Sequence, residues 1–303
     1  MKILLLGANG QVGWELRRSL STLGEVKACN SLDANLENSD EICKLIHYHN
    51  PEFIVNAAAY TDVDRAEIEQ EKAYQINTEA AAVLGHEAKK NNSWLIHYST
   101  DYVFDGMKKG AYVETDETNP QSIYGKSKLQ GEEEIKKSGC NYLTFRTSWV
   151  YATSGKNFVK TMIKLAKERD KISVVNDQAG APTCATLIAD ITSFCIYKIT
   201  QQETFPQELA GTYHLTSTGG ISWYDFAKFI LTEIKKHGEH LKITSGKIIP
   251  ITTSDHQRMC NQKSANRPAN SRMNTKKLQK IFGVHLPPWQ VHAKLLINDL
   301  YTN

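Results

Sequence analysis

The sequence predicts an α/β protein in which helices cover both faces of a parallel sheet. Its first half alternates short apolar runs with segments whose apolar residues recur every three or four positions. This alternation is typical of a doubly wound parallel sheet, because each helical crossover returns the chain to the same end of the sheet. A glycine-rich turn also joins the first apolar run to the first helical segment. The second half is less regular and predicts a smaller α/β lobe.

The strands of the main sheet are predicted from short apolar runs in the first half of the chain. Each run is bounded by turn residues or by a helical segment, as expected for a buried parallel strand. Pro51 ends one helical segment, so a new strand can begin directly after it. In chain order the predicted strands are Lys2–Leu6, Glu25–Cys29, Phe53–Ala57, Trp94–Ser99 and Asn141–Thr147.

Helices are predicted between these strands, where apolar residues recur at helical spacing. The first helix places Val12, Leu16, Leu20 and Leu23 on one face, which would pack against the sheet. The predicted helices of this half are Gln11–Leu23, Ser39–His49, an alanine-rich Glu69–Lys90, and a helix from about Tyr124 to Lys137.

The second half predicts five more helices and two more strands. The helices are Phe158–Glu168, Ile188–Ile199, Ser222–Lys236, Thr275–Phe282 and Trp289–Leu300, and the strands are Ile172–Val175 and Thr212–Leu215. A chain of 303 residues is long enough for about two domains. We therefore expect a first domain at 1–150 and a second lobe at 151–303. Segments at about 172–200 are expected to return to the first sheet.

Composition narrows the functional classes. Hydrophobic residues make up 41% and charged residues 23% of the chain, which argues against intrinsic disorder. A net charge of +3 gives no case for nucleic acid or membrane binding, and no apolar run approaches the roughly 20 residues of a membrane helix. The six cysteines are scattered without a C-x-x-C pair, as in a cytoplasmic protein with reduced thiols.

The glycine turn Gly7–Gly13 follows the first strand and opens the first helix, with the spacing G-x-x-G-x-x-G. Glycines here permit a tight turn and a close approach of backbone N–H groups to a pyrophosphate at the helix N-terminus. A Rossmann-type dinucleotide site is favoured over a purely structural turn. In many dinucleotide-binding domains an acidic residue after the second strand binds the adenosine ribose. The neutral Asn30 stands at that place here, so neither NADH nor NADPH is favoured.

A tyrosine and a lysine at i, i+4 spacing, Tyr124 and Lys128, share one face of a predicted helix. A tyrosine has an ordinary pKa of about 10, and a neighbouring ammonium group is expected to lower it. Such a phenol can protonate a ketone oxygen while hydride arrives at the carbon. Ser99 and Thr100 lie at the end of a predicted parallel strand, where a hydroxyl could bind the same oxygen.

Together, these features resemble the extended short-chain dehydrogenase/reductase superfamily, and more closely its dTDP-4-dehydrorhamnose reductase family. The likeness runs over almost the whole chain. The similar segments are Gly10–Leu16, Val55–Thr61, His97–Phe104, Phe145–Tyr151, Asn176–Gln178, Gly180–Thr183, Arg267–Pro268 and Asn270–Arg272.

The resemblance implies reduction of the C4 ketone of dTDP-4-dehydro-L-rhamnose by NADPH or NADH. It assigns catalysis to Thr100, Tyr124 and Lys128, with Thr100 binding the ketone, Tyr124 protonating it, and Lys128 tuning Tyr124 and binding ribose. A larger set of residues would bind the cofactor. From the glycine turn these are Gly7, Gly10, Gln11, Val12 and Gly13, and the others are Asn30, Asn35, Leu36, Ala59, Tyr60, Thr61, Tyr98, Tyr124 and Lys128. Substrate contacts would come from Thr100, Asp101, Tyr124 and Trp149, with Arg272 either pairing with the diphosphate or lying on the surface.

Acidic residues are expected to play a minor part. Some members of the family are described as binding Mg²⁺ at a dimer contact, and Glu15 matches the first position. Asp190 and Asp299 fall where glutamates would be expected, so a metal is doubtful here, although a homodimer is expected. The run Glu132–Glu134 is interpreted as the solvent-exposed face of a helix.

Two alternatives remain open from the sequence. One is a non-catalytic regulatory subunit of a methionine adenosyltransferase, since a branch of the same family retains the dinucleotide fold. The other is a reductase or epimerase of a different nucleotide-ketosugar, because the configuration at C4 depends on small differences in substrate placement.

Overall fold

A computed structural model of the chain describes residues 1–202, 207–243, 247–260 and 264–302. Its strands, in chain order, are β1 (Lys2–Leu6), β2 (Glu25–Cys29), β3 (Phe53–Asn56), β4 (Trp94–Thr100), β5 (Asn141–Thr147), β6 (Val150–Tyr151), β7 (Ile172–Val175), β8 (Ala179–Gly180), β9 (Thr183–Cys184), β10 (Gly211–His214), β11 (Ile221–Ser222) and β12 (Ile248–Ile251).

Six of these strands form one parallel sheet in the order β10-β5-β4-β3-β1-β2. The chain leaves β1 in one direction to form β2 and then continues with β3 on the opposite side of β1. This reversal creates a crevice at the carboxyl ends of β1 and β3, which is where ligands bind in doubly wound folds. The predicted fold class is confirmed.

The helices are α1 (Gln11–Leu20), α2 (Ser39–His49), α3 (Val63–Ala66), α4 (Gln70–Tyr74), a π-helical turn at Gln75–Glu79, α5 (Ala80–Lys90), α6 (Ile123–Ser138), α7 (Phe158–Glu168), α8 (Ala185–Thr200), α9 (Trp223–Lys235), α10 (Thr253–Cys260), α11 (Lys276–Phe282) and α12 (Trp289–Thr302). No helix within these described ranges is long and apolar enough to cross a membrane.

Alternate residues of the strands divide the core into two layers. Leu4 and Leu6 of β1 belong to a cluster with apolar residues of α2, α5 and α6. Ile3 and Leu5 belong to the opposite cluster, which includes residues of α1 and α8. Because successive side chains of a strand point to opposite faces, a strand buried on both sides reads as a continuous apolar run.

The two later strands predicted from the sequence join different sheets. Ile172–Val175 pairs with β12 in a two-stranded sheet of the second lobe, and β10 supplies the sixth strand of the main sheet beside β5. Helix α8, which lies in the stretch expected to return to the first sheet, packs against α1, where the Ser19 hydroxyl donates to the Ala189 carbonyl at 3.1 Å. The length of an apolar run predicts a strand but carries no information about its partner.

The long predicted helix Glu69–Lys90 is interrupted by the π-helical turn at Gln75–Glu79. This turn buries Asn77, whose amide nitrogen donates to the Tyr60 carbonyl at 3.1 Å and to the Ser127 hydroxyl at 3.0 Å. π-Helical turns often mark functional sites, and this one ties the loop after β3 to helix α6.

Candidate active site

A cleft of about 710 Å³ lies over the carboxyl ends of the central strands. Its size is within the usual range of roughly 300–1,000 Å³ for small-molecule sites. The predicted site residues that line it are Gly7, Gly10, Gln11, Val12, Asn30, Asn35, Leu36, Ala59, Thr61, Tyr98, Thr100, Asp101, Tyr124, Lys128 and Trp149. Ser99 lines it as well. Residues far apart in the chain are thus brought together by the order of the strands.

The glycine turn is shaped for close backbone approach. Gly7 has a φ of +77°, and a Cβ at this position would lie 2.6 Å from the backbone nitrogen of Ala58 after β3. Helix α1 begins after Gly10 with no side-chain cap, so its first N–H groups point freely toward the cleft. A Cβ on Gly13 would lie 2.0 Å from the Gly7 carbonyl oxygen. Gly13 therefore packs the helix onto the turn instead of lining the cleft, and the N-terminus of α1 can bind a pyrophosphate.

The residues after β2 shape the far end of the cleft. The Asn30 side-chain oxygen accepts a hydrogen bond from the Leu32 N–H at 2.7 Å. The backbone N–H of Asn30 donates to the Asp33 carboxylate at 2.9 Å. Asn30 thus folds back on its own turn and presents a neutral group where a carboxylate often binds a ribose.

Thr100, Tyr124 and Lys128 converge at the cleft because two elements meet there. Thr100 is the last residue of β4, and its hydroxyl lies 3.2 Å from a carboxylate oxygen of the buried Asp101. Helix α6 starts beside it, with the Ser122 hydroxyl accepting from the Gly125 N–H at 3.1 Å. The absence of a side chain at Gly125 lets the first turn of α6 lie against the loop after β4.

The electrostatics of Tyr124 differ from the expectation. Burial of the phenol raises its pKa to about 12, while a hydrogen bond with Thr100 lowers this pKa and the Asp101 charge raises it. The expected lowering by Lys128 is not found: Lys128 is not among the groups that shift the pKa of Tyr124, and its Nζ lies 3.1 Å from the Nε2 atom of His97. The phenol is protonated at neutral pH, as a proton donor must be, although the raised pKa makes it a weaker acid than an ordinary tyrosine.

Lys128 is itself buried, and desolvation lowers its pKa to about 8 against an opposing effect of Glu132. The interpretation of Glu132 as part of a solvent-exposed face is wrong. Its carboxylate is buried and forms hydrogen bonds of 3.0 and 2.6 Å with Nε and Nη2 of the buried Arg146 on β5. Glu132 lies one helical turn after Lys128, so the inward face of α6 continues through it.

Sequence reasoning missed three polar residues beneath the cleft, namely His97, Glu132 and Arg146. The sequence contains one indication of the ion pair between Glu132 and Arg146. Arg146 falls inside a predicted buried strand, and a fully buried arginine requires a partner. The Arg146 guanidinium also lies 5.1 Å above the Phe104 ring, which adds a favourable cation–π contact.

Trp149 forms one wall of the cleft in a constrained conformation. Its φ is +50°, which is unusual for a large residue, and its ring stacks on Trp223 with centroids 3.4 Å apart. A Cβ at Gly180 would lie 2.5 Å from the indole, so only glycine fits there. The stack and the close backbone hold the indole at a fixed angle, and such strain is often found at functional sites.

Two further predicted residues are not brought into the cleft. The Tyr60 hydroxyl donates to Glu69 at 2.8 Å, away from the lining residues. Arg272 uses Nε to bind the Asn270 side chain at 2.8 Å and Nη2 to bind the Lys109 carbonyl at 2.7 Å. Its guanidinium therefore braces neighbouring loops and is not among the groups that line the cleft.

Two of the three acids considered for a metal, Glu15 and Asp190, lie beside an arginine. Arg18 lies 3.8 Å from Glu15 and 2.8 Å from Asp190. Across the described part of this single chain, no group of three or more His, Cys, Asp or Glu side chains is arranged to hold a metal ion. The single positive charge of Arg18 thus lies between Glu15 and Asp190 within one chain.

Comparisons with known proteins agree with this geometry. A family model described as the RmlD substrate binding domain matches residues 1–302. A dTDP-4-dehydrorhamnose reductase of Burkholderia thailandensis is 43% identical over 300 residues, which cover 99% of each chain. The crystal structure of a dTDP-4-dehydrorhamnose reductase from Clostridium acetobutylicum matches with a TM-score of 0.88 and 35% identity over 99% of each chain. That of a dTDP-4-dehydrorhamnose reductase from Bacillus anthracis, in complex with NADP, matches with a TM-score of 0.86 and 32% identity over 98% of this chain and 99% of that one. The chain belongs to the RmlD substrate binding domain family, that of the dTDP-4-dehydrorhamnose reductases.

Proposed function

We propose that this protein reduces the C4 ketone of dTDP-4-dehydro-L-rhamnose to give dTDP-L-rhamnose, with NADPH or NADH as the reductant. The observation that carries the proposal is the convergence of Thr100, Tyr124 and Lys128 on the cleft formed by the glycine turn. Full-length relatives at about 40% identity carry the name of this activity, which supports the choice of substrate.

The residues of the cleft fit a nicotinamide dinucleotide. The uncapped N-terminus of α1 and the side-chain-free Gly7 leave room for a pyrophosphate against backbone N–H groups. When bound, the dinucleotide supplies a hydride. Lys128 lies in the lining with its Nζ available to hydroxyl groups of a ligand, while Asn30 leaves both forms of the cofactor possible.

Tyr124 is proposed as the proton donor. With a pKa of about 12, the phenol is protonated at neutral pH and can donate to the oxygen that develops negative charge at C4. Thr100 hydrogen-bonds with this phenol and is placed to bind the same oxygen. In the complete reduction, one hydride reaches the C4 carbon and one proton leaves Tyr124 for the oxygen. The resulting phenolate of Tyr124 regains a proton before the next turnover. General acid catalysis of this kind contributes about 10²- to 10⁴-fold to the rate.

We further propose that residues 1–150 bind the dinucleotide and that 151–303 mainly hold the sugar nucleotide. Trp149 lies at the junction and lines the cleft, which supports a contact with the deoxysugar or the base. The homodimer and the cytoplasmic location expected from the sequence belong to the same proposal. Light scattering after size-exclusion chromatography and cell fractionation test these two points.

A coupled assay tests the proposed function. dTDP-4-dehydro-6-deoxyglucose, a 3,5-epimerase and this protein are mixed, and the loss of NADPH or NADH absorbance is followed. Oxidation that requires both the sugar and the epimerase is the expected result, and NMR of the product defines its configuration at C4. Oxidation without the epimerase would indicate another ketosugar. Cofactor binding without any oxidation would contradict the proposal and favour the regulatory subunit.

A further inference from the structure

Three buried polar side chains form a line beneath the cleft. Asn56 ends β3, His97 lies beside it on β4 in direct register, and Lys128 extends from α6. Their exposed fractions are 1%, 1% and 2%. Lys128 lines the cleft, whereas Asn56 and His97 are not lining residues, so these two can act on chemistry there only through the residues that they contact.

The hydrogen bonds fix the proton on His97. The Ala58 N–H donates to Oδ1 of Asn56 at 3.1 Å, so the amide group of Asn56 is oriented by an obligatory backbone donor. The Asn56 Nδ2 atom then faces Nδ1 of His97 at 3.2 Å. An NH₂ group can only donate, so Nδ1 must accept. Burial holds the pKa of His97 well below its ordinary value. The ring is therefore neutral, with its proton on Nε2.

This arrangement determines which protonation state of Lys128 can form a hydrogen bond with His97. Nε2 of His97 lies 3.1 Å from the Lys128 Nζ. An ammonium group has only donors and would meet the N–H of the ring, whereas a neutral amine offers a lone pair to it. The opposite ring tautomer would accept from an ammonium but would bring its N–H against the NH₂ of Asn56. Both ring nitrogens of His97 are hydrogen-bonded only when Lys128 is neutral.

The surrounding charges do not reverse this preference. The titratable groups around Lys128 are His97 from β4 and Tyr124 and Glu132 from its own helix α6. Glu132 is the carboxylate that acts on Lys128, and its oxygens are already hydrogen-bonded to Arg146 of β5. Asp101 lies beyond Tyr124 and acts on that phenol. Burial lowers the pKa of Lys128, which agrees with the hydrogen-bond pattern.

We propose that Asn56 and His97 form a positioning pair that favours the neutral amine form of Lys128 over its ammonium form in the dinucleotide-free protein. The proposal rests on the proposed function only in that Lys128 is one of its residues. A lysine held neutral can take up a proton when ligand oxygens displace His97 from it. Binding of the dinucleotide is therefore expected to be linked to proton uptake at Lys128.

Nuclear magnetic resonance of the dinucleotide-free protein tests the pair directly. ¹⁵N-labelled histidine reports the tautomer of His97, and ¹³C at Cε of lysine reports the titration of Lys128, with His97→Gln and Lys128→Arg used for assignment. The expected results are a proton on Nε2 and a Lys128 midpoint at least about one pH unit below that of ordinary lysines. A proton on Nδ1, or a Lys128 midpoint among those of the other lysines, would overturn the proposal.

The isosteric substitution Asn56→Asp should reverse the direction of the hydrogen bonds that His97 makes. In Asn56→Asp the carboxylate still accepts from Ala58 and now also accepts from Nδ1 of His97, which moves the ring proton to Nδ1. Nε2 can then accept from an ammonium, so the Lys128 midpoint should rise by about one pH unit or more. Thr144→Val is the matched control, because Thr144 lies opposite His97 on β5 and its buried hydroxyl has no partner in the described part of the chain. An unchanged midpoint in Asn56→Asp would contradict the proposal.

Calorimetry supplies a second measurement that does not depend on turnover. NADPH binding is measured near pH 9 in two buffers with different ionisation enthalpies. Net proton uptake is expected in the wild-type protein and should be lost in Asn56→Asp. Absence of uptake in the wild type would overturn the link to binding. Failure of the sugar assay alone would affect the proposed function and leave both measurements on Lys128 intact.

Discussion

Replacing Glu132 by glutamine should destabilise the protein by about 3 kcal/mol, although the side chain keeps its shape. The carboxylate makes contacts of 2.6, 3.0 and 3.2 Å with the guanidinium of Arg146. Both side chains are 7% exposed, so water cannot replace the lost charge. Glutamine would retain one acceptor and would turn an NH₂ group toward the guanidinium donors. Breaking a buried pair by removing one partner typically costs about 3–5 kcal/mol.

Urea unfolding measures this free energy, and the chain offers a matched control. Glu133→Gln makes the same chemical change at the next residue, which is exposed, and should shift the free energy of unfolding by no more than about 0.5 kcal/mol. Replacing Glu132 and Arg146 together by methionine should recover much of the loss, because no charge is then left unpaired. Equal small effects of Glu132→Gln and Glu133→Gln would refute the reasoning.

Three further predictions concern the cleft. Gly13→Ala should weaken NADPH binding about tenfold or more in a fluorescence titration, since its Cβ would lie 2.0 Å from a backbone oxygen; Gly110→Ala, with open space around it, should have no effect. Trp223→Leu should raise KM for the sugar roughly two- to tenfold without changing NADPH affinity, because the stack under Trp149 is lost. Burial raises the pKa of Asp101 to about 6, so the folded protein holds a proton that the unfolded chain releases near pH 4. Relative to Asp101→Asn, the wild-type protein should therefore lose up to about 3 kcal/mol of stability as the pH rises from about 4 to above 6. Melting temperatures of both proteins at pH 5 and 8 check this difference; an equal change with pH in the two proteins would argue against it.

The parts of the fold that the sequence predicts are those that depend on local pattern. The strand Lys2–Leu6 is a continuous apolar run because it is buried on both faces, and Gly7 follows it because the turn needs a positive φ. Tyr124 and Lys128 are recognisable because their spacing is that of a helix face. Each of these signals lies within a few residues of chain, and the structure contains each element where it is predicted.

Long-range pairing is where the sequence gives least guidance. Nothing local distinguishes Ile172–Val175, which joins the small lobe, from Gly211–His214, which joins the main sheet. The partner of Lys128 is equally hidden, since His97 lies on another element and its relation to Lys128 depends on the packing of α6 against β4. Glu132 was assigned to solvent because a run of three acids conceals the single inward-facing one.

A single-turnover experiment on Tyr124→Phe tests the central claim, that a buried phenol delivers the proton to a ketone in this cleft. NADPH affinity and the rate of hydride transfer to the ketosugar are measured on the same protein. The account predicts nearly unchanged NADPH binding and a rate of hydride transfer reduced by about 10²-fold or more. A variant that binds NADPH and transfers hydride at the wild-type rate would contradict it.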